Sequence, residues 1–504
     1  MRTIAFVLPH VKVVCPFISG RTNRMTSTLR NLLPAAVAIG VLATTAPSLA
    51  QSAADVAVEA AKKYAGTELT LLYEAGLQPL DPINLTGPMW EELTGIKIKV
   101  VEAPVDQLFT KMIQETKAGT GAYDILNVIP NQMPDLALAG ALEPLDGYIE
   151  KYGYADEIQG IGKVYRENQM TVEGTTYGLA DDGDVLLLYY RKDIFEDPDL
   201  QAAFKEKFGY DLAPPKTWKE FNEISGFITE KLGPEVHGSG MHFQPGNFQY
   251  MFQERFRVEG GKFFDPETMR ATVNGPVGLK VLNDIKADIE TMPKGVEQWG
   301  FIEMLNAFMD GQIAMTESWP PVGRWTAGYG RDTEALNWLP ETKVGGKVGY
   351  ALPPGGTPEL AIGFSLAVSS TSKNKEAAYL FAQWMNSEEI SLQRVQLPYA
   401  MRDPFRESHY ADPEYRSRWD GAGEYLDALK AGSETGLLDL SLIQTDRYEE
   451  ALRQAIGRLM ANEDPQTILD DLAKQWDGLT DRIGVEKQKR VYADWASKPN
   501  AYPN

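Results

Sequence analysis

Three short apolar segments, each parted from the next by an amphipathic stretch, constrain the first third of the chain most. Glu68-Leu69-Thr70-Leu71-Leu72-Tyr73, Ile96 to Val101 and Asp124-Ile125-Leu126-Asn127-Val128-Ile129 read as strands. Met89 to Thr94 reads as a helix stopped by Gly95, and Gln107 to Ala118 as a helix with Leu108, Met112 and Ile113 on its apolar face. Strands alternating with helices make βαβ units, and βαβ units make a parallel sheet. The expected class is therefore α/β.

The pattern recurs further on. Val185-Leu186-Leu187-Leu188-Tyr189-Tyr190 is a strongly apolar strand, and Thr217 is placed to cap a helix that starts at Trp218. Phe301 to Asp310 reads as a helix ended by Gly311, followed by a strand at Ile313-Ala314-Met315-Thr316. A strand over Ile362 to Ser369 precedes a helix over Ser372 to Asn386. That helix carries Ala377, Leu380, Phe381 and Trp384 on one face. Arg447 to Asp481 reads as two helices split at Asp464-Pro465. There is no internal repeat and no low-complexity tract.

Composition narrows the function. In 504 residues, 70 acidic side chains outnumber 49 basic ones, for a formal charge of -21. A chain so acidic is a poor partner for nucleic acid or an anionic membrane. The single Cys15 excludes a disulfide framework or multi-thiolate metal site. His10, His237, His242 and His409 do not stand at HExxH spacing, so no metal and no cofactor is expected. No Walker sequence or strand-linked GxGxxG occurs. Gly363-Phe364-Ser365-Leu366-Ala367 lacks the last glycine of a nucleophile elbow and runs through a strand.

Residues 1–50 hold five basic side chains and no acidic one. An apolar run from Leu32 to Ala43 follows Arg30, and small residues Ser48 and Ala50 precede Gln51. These are the marks of a secretory signal cleaved near Ala50. Met25 begins a compact signal by itself, so 1–24 reads as an overlong start. Past Ala50 no apolar stretch is long enough to span a membrane, which takes about 20 residues. An exported, periplasmic protein is expected.

Three stretches together resemble the extracellular solute-binding proteins of bacterial ABC importers, in the carbohydrate-binding family that includes maltose-binding protein. They are Thr176-Tyr177-Gly178-Leu179-Ala180-Asp181 with Leu188-Tyr189-Tyr190-Arg191-Lys192-Asp193-Ile194-Phe195; Ala307-Phe308-Met309-Asp310-Gly311-Gln312-Ile313-Ala314-Met315-Thr316 with Trp319; and Ile362-Gly363-Phe364-Ser365-Leu366-Ala367-Val368 with the helix after it. Gly140 to Asp146 and the Pro215-Lys216-Thr217-Trp218 turn fit the same family.

The resemblance implies a two-lobed periplasmic-binding-protein fold of the type II kind. Each lobe would be a mostly parallel sheet flanked by helices, the two joined by crossing strands. Lobe one would take 66–181 and 360–396, and lobe two 184–356 and 400–490. A leader helix at 51–65 and a tail at 491–504 complete the chain. The implied function is capture of a carbohydrate or polyol between the lobes by a monomer that catalyses nothing, and delivery to the permease subunits of an ABC transporter. The alternatives are a peptide, amine or other non-sugar solute, or a secreted glycosidase working through two carboxylates.

A sugar presents hydroxyls at its rim and C–H faces above and below, so its site wants planar polar groups and flat aromatics. Trp319 is placed by the resemblance as a stacking aromatic, and Glu317 leaves the same strand towards the same side. Asp182 and Asp184 sit at the first crossing. Glu74, Asn131 and Gln132 follow strands at the end where α/β proteins bind ligands. Asn247 belongs to an amide and aromatic run, His242 to Tyr250. Trp299 could edge the cleft, and Tyr399 and Arg402 could close it. Each is weighed against a plain role: core packing for the aromatics, turn or salt-bridge duty for the charged groups. Trp218 and Trp384 read as core.

Overall fold

The computed structural model describes residues 51–244, 248–360, 363–399 and 401–503. The leader read in 1–50 and the candidate Asn247 lie outside the described residues.

The first sheet has five strands in the order β2-β1-β3-β10-β6. Strands β1 (Glu68–Glu74), β2 (Lys97–Ala103) and β3 (Ile125–Val128) are the three read from the βαβ pattern, and β1 pairs parallel with both neighbours. The helices between them end where the sequence placed stops: Gly95 and Gly119 both adopt left-handed backbone as C-caps. A tight hairpin of β4 (Thr171–Val172) and β5 (Thr175–Thr176) precedes β6 (Gly178–Asp182). The centre of the sheet is filled from far away. β10 (Phe364–Val368) enters between β3 and β6, antiparallel to both.

The helix Ala53–Ala61, capped by the Ser52 hydroxyl, packs on the helix Lys375–Asn386. Trp384 belongs to this core, 5.2 Å from Trp90, and is 1% exposed.

The second sheet has three strands in the order β8-β7-β9: β7 (Leu187–Arg191), β8 (Met315–Ser318) and β9 (Val348–Ala351). The sequence reading expected a mostly parallel sheet here, and the described strands correct it, because both pairings are antiparallel. Met315 lies opposite Tyr190 and Val348 opposite Arg191, so both strands start beside the carboxyl end of β7. A strand starting there must run antiparallel.

Thr217 caps the helix Trp218–Leu232, accepting from the Glu220 N–H. This helix shares an apolar core with Phe248–Val258, Pro276–Thr291 and the C-terminal helices Thr445–Met460, Pro465–Ile483 and Val485–Ser497. The segment read as a tail is part of it: Trp495 and Ala501 are buried, and the Trp495 indole donates to the Asp439 carbonyl at 2.8 Å. No helix among the described residues is long and apolar enough to cross a membrane.

Candidate functional site

The chain passes between the two sheets directly after β6, again between β9 and β10, and a third time after the helix Glu388–Val395. The three passages meet at one cluster of buried charge. Asp182 accepts from the Asp403 backbone N–H at 2.7 Å, and Asp184 from the Gly363 N–H at 3.1 Å. Asp181 takes Arg394 at 2.6 Å, and Arg402 Nε lies 3.0 Å from its other oxygen. Arg324 pairs with Asp403 at 2.5 Å. Gly183 is required here, since a Cβ would stand 2.0 Å from the Pro404 carbonyl oxygen.

Oxygens of Asp182, Asp184 and Asp403 lie within 4.8 Å of one another, close enough to hold a cation. Arg324 already supplies positive charge to the group. Burial first, then the neighbouring carboxylates, raise the Asp184 carboxyl well above its usual range, and burial with Asp403 pushes Asp182 up to about 8.

A groove of about 840 Å³ opens between the end of the first sheet and the C-terminal helices. One wall comes from residues just past β2 and β3, including Val105, Phe109 and Gln132; the other comes from Gln249, Tyr250 and the helix Thr445–Met460. This is the carboxyl end of the parallel strands, where α/β folds bind ligands. Asn131 and Gln132 stand there as expected, but both reach across the groove. Asn131 Nδ2 donates to Glu449 at 2.9 Å and Gln132 Nε2 to Asp446 at 2.8 Å. The Ser441 hydroxyl donates to the Asn131 carbonyl, and the Gln444 N–H to Asp135. Burial first, then Asp439 and Asp446, push the Glu449 carboxyl up to about 8.

Inward from Tyr250 lies an aromatic cluster. Trp319 is 8% exposed and stacks on His242, with centroids 5.0 Å apart and planes at 20°. Tyr250 meets it edge-on at 6.0 Å and Phe301 at 6.2 Å. Neither ring nitrogen of His242 has a hydrogen-bond partner of normal geometry among the described residues, and burial lowers its pKa to about 4. Glu317, two residues before Trp319 on β8, is buried with both oxygens unbonded among the described residues. It faces Glu254, whose carboxyl is raised by burial first and then by the charge of Glu317.

The remaining candidates stand on the other wall or at the hinge. Glu74, at the end of β1, is half-buried; desolvation raises its carboxyl to about 7 against the pull of Arg402. Arg402 is fully buried, its guanidinium 5.4 Å from the Tyr73 ring centroid and 3.6 Å from Asp182. Tyr399 is partly buried against the first core, and Trp299 is partly buried between both cores, where Gly240 leaves it room. Trp218 carries the Arg255 guanidinium on its face at 3.6 Å, a packing role.

Sequence reasoning missed Glu254, Glu449, Asp446, Arg324 and Asp403. Only position relative to Tyr250 on its helix could have drawn attention to Glu254, and nothing local marks the others.

A two-lobed α/β chain with three crossings at a buried hinge, and a groove between its first sheet and its C-terminal helices, is the architecture of a binding protein that closes on a solute. Over residues 54–391 the sequence matches the bacterial extracellular solute-binding protein family, and the chain belongs to it. It is 28% identical over 357 residues to a probable ABC transporter-binding protein of Deinococcus radiodurans, covering 68% of this chain and 78% of that one. Its fold is similar to an ABC transporter solute-binding protein from Agrobacterium radiobacter K84 solved with ribitol, at TM-score 0.68 and 21% identity, covering 82% of this chain and 99% of that one. It is also similar to the maltose-bound MalE3 of T. maritima, at TM-score 0.65 and 21% identity, covering 82% and 100%.

Proposed function

We propose that the protein captures a carbohydrate or polyol in the groove between its lobes and delivers it to the membrane permease of an ABC importer. It acts as an exported periplasmic monomer that performs no chemistry on the solute. The observation that carries this reading is the Trp319 cluster, which meets the groove at Tyr250 and stands beside Glu254 and Glu317 oxygens that lack partners among the described residues. Unbonded buried polar atoms are costly, at about 1–3 kcal/mol each, and a hydroxyl-rich solute would satisfy them. The ribitol and maltose held by proteins of similar fold support the same class.

In this reading 66–181 and 360–396 form one lobe and 184–356 with 400–490 the other. Glu74, Asp182, Asp184, Trp299, Glu317, Trp319, Tyr399 and Arg402 line or brace the site. Asn131 and Gln132 serve closure by bonding across the groove. The leader is cleaved near Ala50.

Thermal unfolding against a panel of sugars, polyols, amino acids and peptides tests the proposal. A solute at 100 times its Kd stabilises by about 2.7 kcal/mol, a clear rise in Tm. A rise with a sugar or polyol that Trp319→Ala abolishes is expected. A rise with amino acids or peptides alone would overturn the solute class.

A further inference from the structure

We propose that the solute carries a protonated amine as well as hydroxyls, seated on the Glu254–Glu317 carboxyl pair beside Trp319: an amino sugar or amino polyol. This rests on the carbohydrate reading above and narrows it.

The argument begins with donors and acceptors. Glu254 Oε2 accepts the Glu359 backbone N–H at 3.3 Å. Glu254 Oε1 and both Glu317 oxygens then have no donor among the described residues beyond a proton shared between the two. A carboxylate only accepts, an ammonium offers three donors and no acceptor, and a hydroxyl brings lone pairs that would themselves need donors. Donors nearby that lack a partner among the described residues are an N–H of His242, a ring stacked on Trp319, and Nε and Nη2 of Arg255, and none of them is hydrogen-bonded to the pair. Three carboxyl oxygens therefore stand with no donor bonded to them, and an ammonium suits them better than a neutral hydroxyl group.

Charge points the same way. The cations nearest the pair are committed elsewhere. Arg255 pairs with Asp288 and lies over Trp218, and Arg257 pairs with Glu359. Two carboxyls thus face each other in the interior with no cation bonded to them, and the Arg255 guanidinium whose charge reaches both is shared with Asp288, which is costly unless a proton or a ligand charge offsets the remainder. Burial and the mutual charge of the pair hold that proton in place in the empty protein. Aromatic rings stand on the groove side, since Glu254 is one helical turn past Tyr250 and Glu317 one strand repeat before Trp319. An ammonium within about 6 Å of such faces is favoured further.

Isothermal titration calorimetry on the purified full chain tests this. The probes are D-glucosamine, D-galactosamine and 1-amino-1-deoxy-D-sorbitol, each against D-glucose, D-galactose and D-sorbitol. At least one amine is expected to bind about tenfold or more tighter than its parent. Titrations in buffers of different ionisation enthalpy should show release of about one proton with the amine and none with the parent. Glu317→Gln should bring amine and parent within about threefold of each other. Glu254→Gln, checked for a cooperative melt, serves the same purpose should Glu317→Gln not fold. Parents that bind as tightly as the amines overturn the inference and leave the carbohydrate reading standing. Silence with all six compounds overturns the inference and counts against the carbohydrate reading too.

Discussion

Asp182 accepts a hydrogen bond from the backbone N–H of Asp403 at 2.7 Å, so a side chain at the first passage between lobes holds the main chain of the third. Asp184 does the same for Gly363 at the second. Three strands of hinge are tied at one level by two carboxyls. Asp182→Ala leaves the buried Asp403 N–H without its acceptor and should cost about 1–3 kcal/mol, read from the urea midpoint. An unchanged midpoint would mean that the hinge does not depend on this bond.

Removing one member of a buried ion pair costs more than removing a surface one, because the survivor is left charged in the interior. Arg324→Ala strands Asp403, and both side chains are essentially inaccessible. A loss of about 3–5 kcal/mol is expected. Arg270→Ala, whose partner Asp481 is half exposed, is the control and should leave the urea midpoint nearly unchanged.

Two buried carboxyls, Glu449 at the groove and Glu359 on the passage between β9 and β10, make stability depend on pH in a definite sense. Glu449 is pushed up to about 8 and Glu359 to about 7, both above the value a glutamate has in the unfolded chain. Between those limits the folded state holds protons that the unfolded state has released, so stability falls as pH rises. The Tm should be higher at about pH 5 than at about pH 9, and Glu449→Gln should flatten that slope. A Tm that rises over the same range would contradict the assignment.

Asn131 and Glu449 make the cross-groove contact most open to test. Asn131→Ala leaves Glu449 buried without its donor, and the empty protein should then spend more time open. Small-angle scattering should show a larger radius of gyration for the variant without solute, with the difference removed by a bound sugar or polyol. Equal radii without solute would show that this bond does not hold the lobes together.

What the sequence showed and what it hid divides along chain separation. Thr217 was legible as a helix cap because its partner, the Glu220 N–H, is three residues away. Trp384 was legible as core because its companions Ala377, Leu380 and Phe381 recur at helical spacing on the same element. The antiparallel second sheet was not legible, since apolar runs announce strands but not the direction of their partners. Asn131 and Gln132 were placed correctly at the strand ends. Their bonds to Glu449 and Asp446, more than 300 residues on, carry no local signature. Glu254 lay unremarked because a glutamate on an amphipathic helix normally faces water.

The placement of β10 has a consequence for how the chain comes to be folded. It is hydrogen-bonded between β3 and β6, and the helix after it covers Ala53–Ala61. The first sheet therefore stays split until residues some 300 positions beyond its first strand have arrived. Contacts that close so large a loop form slowly. A nascent chain would emerge with its amino-terminal half incomplete and still unfolded enough to be threaded through a secretion channel, and would assemble cooperatively once the whole length had crossed.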